Sequence, residues 1–144
     1  MARRDPYTNY RFRVEIDGIA SGAFSAVTVG ACSTEVIDYR EGSDVTHVRK
    51  LPGLTKYGPV TLQRGISTSM DLFNWHKQVA NGQFDTARRN VLIVLQDEAG
   101  SDVVRFLVRN AWPTRYEVGV LDAQDSAVAI ELLELANEGI ERDT

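Results

Sequence analysis

The first clear pattern along the chain is a strict alternation. Over residues 10–16 the apolar Phe12, Val14 and Ile16 are interleaved with Arg11, Arg13 and Glu15, a period of two that places the apolar set on one face of a half-buried strand. Asp17-Gly18 reads as the hairpin turn that follows. Small and β-branched residues over 19–29 continue the strand pattern, with Gly22 and Gly30 at bulge or turn positions. A third strand is expected over 33–39. From residue 40 to 58 the pattern weakens, because Gly42, Ser43, Pro52, Gly53 and Gly58 interrupt a charged stretch. This reads as an extended loop with a short strand around 46–49, and connections of that length are usually functional or disordered.

Val60, Leu62 and Arg64 restore the alternation before Gly65. Leu72, Trp75, His76 and Val79 then recur at the i, i+3, i+4, i+7 spacing of an amphipathic helix, the one helix the pattern predicts. Thr68, three places before Asp71, is a candidate cap for its start, and Asn81-Gly82 supplies the left-handed stop at its end. Residues 90–96 and 102–110 form two apolar β-rich runs joined by a hairpin loop at 97–101, with Trp112-Pro113 ending the second. In the last segment, 127–136, Val128, Ile130 and Leu132 alternate, whereas Leu132, Leu133, Ala136 and Ile140 would line a helix; the strand reading is favoured. The fold class that results is mainly β: a single domain over 1–144, an antiparallel barrel or sandwich with one packed α-helix.

Composition narrows what such a domain does. The 144 residues are 43% hydrophobic and 25% charged, with 16 basic against 20 acidic side chains and a net charge of −4, the balance of an ordinary globular chain long enough for one core. An acidic chain lacks the basic footprint of a generic nucleic-acid binder. The single cysteine, Cys32, excludes an internal disulfide or a cysteine-pair zinc site and reads as a small half-buried residue in a protein made in reducing cytoplasm. Met1-Ala2-Arg3-Arg4-Asp5-Pro6 leads into Tyr7-Thr8-Asn9-Tyr10 with no apolar stretch, so no secretion signal is expected. Nor does any apolar run reach the roughly 18–20 residues of a membrane anchor.

Candidate chemistry is sparse. His47 and His76 fall in different elements and lack zinc-motif spacing, and no nucleophile motif accompanies either. The carboxylate pairs Asp97/Glu98, Asp122/Asp125 and Glu131/Glu134 are the types that share acid and base roles, but the first fits a hairpin tip and the second lacks the glycine and terminal glutamate of a calcium loop. Gly53-Leu54-Thr55-Lys56-Tyr57-Gly58 has the residue types of a phosphate loop without the order. Arg49, Lys50, Lys56 and Arg64, with Tyr57 among them, form a local basic excess. Glu41 and Asp44 just upstream favour complementary subunit contacts over nucleic acid. No catalytic residue, cofactor or metal is expected.

The weak-pattern segment carries a resemblance. Tyr39-Arg40-Glu41-Gly42-Ser43, then Arg49-Lys50-Leu51-Pro52-Gly53-Leu54-Thr55-Lys56-Tyr57, then Val60-Thr61-Leu62-Gln63-Arg64-Gly65 resemble the tail-tube proteins of contractile phages and phage-derived contractile injection systems. Trp75, Asp97-Glu98-Ala99-Gly100, Asn110-Ala111-Trp112-Pro113 and Glu134-Leu135-Ala136-Asn137-Glu138-Gly139-Ile140 follow in the same order, so the likeness spans nearly the whole chain. One departure stands out: Thr28-Val29-Gly30-Ala31-Cys32 occupies the place of a Ser-Gly-Leu turn common in that family.

The resemblance implies a barrel-like subunit that forms hexameric rings, stacked into a hollow tube inside a contractile sheath. It implies as partners further copies of the chain, the sheath protein, baseplate or spike, tube-cap or tape-measure proteins, and a protein or DNA cargo in the lumen. On the same basis Tyr39, Arg40, Glu41, Gly42, Arg49, Lys50, Leu51, Pro52, Gly53, Leu54, Lys56 and Tyr57 are the candidate contact between adjacent subunits and stacked rings. Two alternatives remain open at this point: an adaptor joining spike or baseplate to the first tube ring, and a small β-barrel hydrolase or ligand-binding protein using Glu131 or His76.

Overall fold

The computed structural model describes residues 11–17, 19–42, 46–123 and 126–143. Parts of four sequence expectations lie outside them: Tyr10 in the first strand, Gly18 in the first turn, Ser43 and Asp44 in the charged segment, and Asp125 of the Asp122/Asp125 pair. Ten strands and two helices run in the order β1 (Arg11–Ile16), β2 (Ile19–Phe24), β3 (Ala26–Thr28), β4 (Cys32–Tyr39), β5 (Arg49–Tyr57), β6 (Val60–Gly65), α1 (Asp71–Ala80), α2 (Phe84–Ala87), β7 (Arg89–Gln96), β8 (Asp102–Ala123), β9 (Ser126–Ala136) and β10 (Gly139–Arg142). Every pairing among them is antiparallel.

One sheet has the spatial order β2-β1-β7-β8-β9-β6-β3, with β10 on β8, and β4 and β5 form a separate ribbon. The two ends of that order, β2 and β3, are consecutive in the chain. Only Ser25 separates them, and its N–H and its hydroxyl both donate to the Gln63 carbonyl (2.9 and 3.1 Å). The wall therefore comes round on itself through the covalent chain rather than through a ladder of hydrogen bonds. It is an antiparallel β structure with a packed helix, as the alternation predicts, but not a closed barrel.

The 22-residue β8 differs most from its sequence reading, which ended the strand at Trp112-Pro113. It continues because it changes partners there. Up to Ala111 it pairs with β7, and from Trp112 to Ala123 with β9. The corner is built from two irregularities. Asn110 takes a positive φ of 50°, a conformation asparagine tolerates better than most residues, and the register shifts between Pro113 and Arg115. A proline beside a bulge costs no ladder bond, which is why Pro113 does not terminate the strand.

The core gathers Val14 and Ile16 of β1, Val60 and Leu62 of β6, Val91 and Ile93 of β7, Val108 of β8, and Leu133 and Leu135 of β9. The alternations of β1 and β6 therefore read correctly. That of β9 is slipped by one residue: Glu131, Leu133 and Leu135 face the core, whereas Ile130 and Leu132 are half-buried on the opposite face. Helix α1 closes the open side with Leu72 and Trp75, both buried, while Val79 packs against the same cluster. The Trp75 indole N–H donates to the Ala87 carbonyl at 2.6 Å, tying α1 to the unanticipated turn α2. At the helix start Met70 occupies the cap position with no side-chain cap, so Thr68 does not play that part. Asp71, one residue inside, accepts instead from the Leu72 N–H (3.0 Å) and the Ser69 hydroxyl (2.7 Å). Gly82, at φ 80°, ends the helix after Asn81 as the sequence predicts.

Candidate assembly surface

Every residue of the expected contact segment lies on or beside one hairpin. The segment is not an extended loop: residues 49–57 form β5, which pairs with β4 from Tyr39↔Arg49 to Cys32↔Tyr57. The short strand expected at 46–49 gives way to one that starts at Arg49. One side of the ribbon pairs Ile37 with Leu51 and Tyr39 with Arg49; the other pairs Val36 with Pro52 and Asp38 with Lys50. Side chains confirm the register. Lys50 Nζ is 2.6 Å from Asp38, Lys56 Nζ is 3.0 Å from Glu35, and the Thr34 and Thr55 hydroxyls are 3.0 Å apart. The Tyr39 hydroxyl donates to Glu41 at 3.2 Å, just before Gly42.

Both faces of this ribbon are exposed along almost its full length. Leu54 is 68% exposed, Val36 65%, and Ile37, Leu51 and Tyr57 are also open to solvent. Cys32, expected to be half-buried, is exposed for the same reason: no second layer covers β4. An isolated two-stranded hairpin is marginal in water, and its exposed ion pairs contribute about 0–1 kcal/mol each.

What fixes this hairpin is its root. There Gly30 and Gly58 cross so closely that a Cβ on Gly30 would overlap the Gly58 carbonyl group, a space only glycine leaves free. The Gly58 N–H donates to the Ala31 carbonyl (2.6 Å), and the Asn137 side-chain amide donates to the Gly58 carbonyl (3.0 Å), joining the root to the end of β9.

Arg64, grouped by sequence with Arg49, Lys50 and Lys56, does not belong to this surface. It projects from β6 into the interior, where its guanidinium pairs with Glu131 of β9 and Asp71 of α1 and lies 5.4 Å over the Phe24 ring. The Tyr116 hydroxyl donates to the other Glu131 oxygen at 2.7 Å. Glu131 is 1% exposed, the single buried charged residue among those described. Burial opposes the charge on Arg64, but its hydrogen bonds to Glu131 and Asp71 outweigh it and raise its pKa. For Asp71 burial pushes the carboxyl up, and the bonds from Ser69 and Arg64 more than offset this, holding it below the usual carboxylate value. Burial, then the neighbouring Glu131, pushes Tyr116 up to about 12. A signal for this network exists in the sequence: Arg64 continues the inward alternation of Val60 and Leu62, and an inward arginine requires a carboxylate.

Among the described residues the remaining candidates are not brought together as sites. Glu131 and Glu134, three apart on a strand, point to opposite faces. Asp97 caps its hairpin tip, accepting from the N–H groups of Ala99 (3.0 Å) and Ser101 (2.9 Å). His76 sits half-buried on α1 and His47 in the exposed segment before β5. No group of three or more potential metal ligands occurs among the described residues, and no described helix is long and apolar enough to cross a membrane.

The described residues thus form an antiparallel wall with an uncovered hairpin and a polar cluster occupied by ion pairs, the frame of a structural subunit rather than of a catalytic pocket. Residues 8–141 match the family described as T4-like virus tail tube protein gp19, and the chain belongs to that family of structural tube proteins. No curated protein matches the sequence. Among solved structures, a chain of the sheath-tube complex of an extracellular contractile injection system, PVC, in its extended state, is 25% identical. The match covers 96% of this chain and 92% of that one, with a TM-score of 0.79. A chain of the 6-fold symmetrised anti-feeding prophage baseplate is 23% identical over 99% of this chain and 97% of that one, TM-score 0.76. Hcp1 from Flavobacterium johnsoniae shares the fold at 14% identity, TM-score 0.61, over 92% and 94% of the two chains.

Proposed function

We propose that this chain is the inner-tube subunit of a contractile injection system or phage tail, forming hexameric rings that stack into a rigid hollow tube. The observation that carries this reading is the match of residues 8–141 to the tail tube family. Its likeness to chains of a sheath-tube complex, a tube-terminating cap and a six-fold baseplate supports the architecture. The partners are then further copies of itself, a sheath protein that supplies the work of contraction, and baseplate, spike, cap and tape-measure proteins at the ends, with protein or DNA cargo in the lumen.

The physics of the subunit fits. The distal half of β8 pairs with β9 on one edge and, among the described residues, with no strand on the other. Such an edge is an aggregation hazard in a monomer and a ready contact in a closed ring. The β4–β5 hairpin, carrying Tyr39, Arg40, Glu41, Gly42, Arg49, Lys50, Leu51, Pro52, Gly53, Leu54, Lys56 and Tyr57, is the contact arm between subunits or rings. A conduit driven by its sheath needs no active site.

Negative-stain electron microscopy of the concentrated chain, with solution mass by light scattering, tests this. Hollow six-fold rings or stacks are expected. A monomer at every concentration, with no tube in particles isolated from the producing cell, would overturn it. The likeness to a baseplate chain supports the adaptor as a second reading. Copy number in isolated particles separates them: many rings for a tube subunit, one or two for an adaptor.

A further inference from the structure

The exposed apolar side chains are not scattered. Of the thirteen large ones among the described residues, six lie on the strands of the β4–β5 hairpin and Val48 in its connection, and five lie around the start of α1 and on the distal half of β8: Ile66, Met70, Phe73, Val118 and Val120. The thirteenth, Phe84, packs edge-on against Trp112 of its own chain (6.4 Å between ring centres).

The origin of the second group is visible in the register of β6, β9 and β8. Residues directly opposite one another in an antiparallel pair share a face. The core face of these strands therefore advances in three rows. Leu62, Leu133 and Tyr116 form the first, and Phe73 of α1 packs on the Tyr116 ring (5.5 Å). Arg64, Glu131 and Val118 form the second, where Asp71 closes the ion-pair network. Ala129 and Val120 form the third, with Ile66 bonded through its N–H to the Ala129 carbonyl (3.1 Å). Helix α1 starts at Asp71, above the second row, so the third row extends past its cover. Val118 is 50% exposed and Val120 64%, on a face whose Leu62 and Leu133 are fully buried in the first row. This is core surface without a lid.

We infer that this uncovered face is the socket for the β4–β5 hairpin of a second copy of the chain. The inference rests on the tube reading and adds to it the surface that receives the arm. A head-to-tail assembly of identical subunits needs two different, mutually complementary patches on each one. The described residues hold two apolar clusters, and they differ in the required way: one is a projecting two-stranded ribbon, the other the open end of a sheet-and-helix face. Exposed apolar clusters of this kind mark interaction sites. The paired charges beside Ile37 and Leu51, Asp38 with Lys50 and Glu35 with Lys56, bring no unpaired charge to an apolar socket where Arg64 pairs with both Asp71 and Glu131. Leu51 and Leu54 are the side chains placed to fill it.

Cysteine cross-linking between separately marked chains tests the contact. In a Cys32→Ser background, chains carrying Leu51→Cys or Leu54→Cys are co-assembled with chains of different tag carrying Val118→Cys or Val120→Cys, then oxidised. A disulfide requires Cα atoms within about 7 Å, so at least one of the four pairings is expected to give mixed-tag dimers several-fold above the statistical share, with Phe84→Cys as the control that gives none. A companion variant, Val120→Asp, is expected to melt as the unaltered chain does at concentrations where both are monomeric, while needing at least tenfold more protein to assemble. If the unaltered chain forms rings or tubes, yet no pairing exceeds the control and Val120→Asp assembles normally, the socket is overturned and the tube reading stands. If the unaltered chain remains monomeric at every concentration and is absent from tubes in isolated particles, both fall together.

Discussion

Glu131 is a carboxylate with almost no exposure, held by one guanidinium and one phenol. A buried pair of this kind is weak support for stability as a whole, because both ions lose their water, but removing one partner strands the other. Arg64→Met is therefore expected to destabilise the monomer by about 3–5 kcal/mol, measured by urea unfolding. The double change Arg64→Met with Glu131→Leu should recover most of that loss; equal losses in the two variants would mean that Glu131 is not stranded. The network also sets a pH window. Asp71 is held below its unfolded carboxyl value, so its contribution is complete above that value and is lost as pH falls through the lowered folded value. Tyr116 is displaced upward, so its contribution is complete below about pH 10 and is lost as pH rises towards about 12. Asp71→Asn should flatten the acid side of the stability profile and Tyr116→Phe the alkaline side, each leaving the other unchanged.

At the scale of elements, the hairpin depends on a crossing of two glycines more than on its own contacts. Gly30→Ala would drive a methyl group into the Gly58 backbone, and overpacking against backbone costs about 1–3 kcal/mol. A Cβ on Gly58 would meet the Ala31 nitrogen at 2.9 Å, a milder clash, and one on Gly42 meets nothing within 4 Å. Proteolysis within residues 40–57 is expected to accelerate most in Gly30→Ala, less in Gly58→Ala and not at all in Gly42→Ala. Equal rates in all three would remove the crossing from the account of the hairpin. The sequence pattern resolves elements that have one wet face and one dry face: β1, β6 and α1 emerge with their inward residues correctly named. It fails where that contrast is missing. The ribbon strand β5 is wet on both faces and contains Pro52-Gly53, so it has no alternation to detect. Strand β9 carries apolar residues on both faces, which permits a slip of one residue. Within β8 the proline suggests an end, whereas the register shift beside it lets the strand pass. Of the proposed contact surface, the arm is legible as a charged segment with an apolar centre. The proposed socket is not, because Ile66, Phe73 and Val120 come from three separate stretches of chain that only the fold brings together.

For the whole molecule, the folded monomer is incomplete by design of its surfaces: a ribbon marginal by itself projects beside a sheet face that outruns its helix. Stability must then depend on concentration, because any species that binds only the folded chain stabilises it by mass action, and here that species is another copy. The melting temperature of the unaltered chain is expected to rise with protein concentration, while that of Leu51→Asp stays constant at the monomer value, since a charge on the ribbon harms only a contact that must exclude water. Hydrogen exchange locates the effect. In the monomer, the backbone amides of β4 and β5 should exchange fast despite their ladder, because local opening of an uncovered hairpin costs little. In rings or tubes the same amides, and those around Val118 and Val120, should slow by orders of magnitude, whereas amides of β1 and β7, already central in the wall, should change little. If β4 and β5 are as protected in the monomer as in the assembly, the ribbon is stable alone and assembly does not complete the fold. If they slow while the region around Val118 and Val120 does not, the arm is buried elsewhere on the neighbouring subunit, and the two apolar clusters serve different contacts.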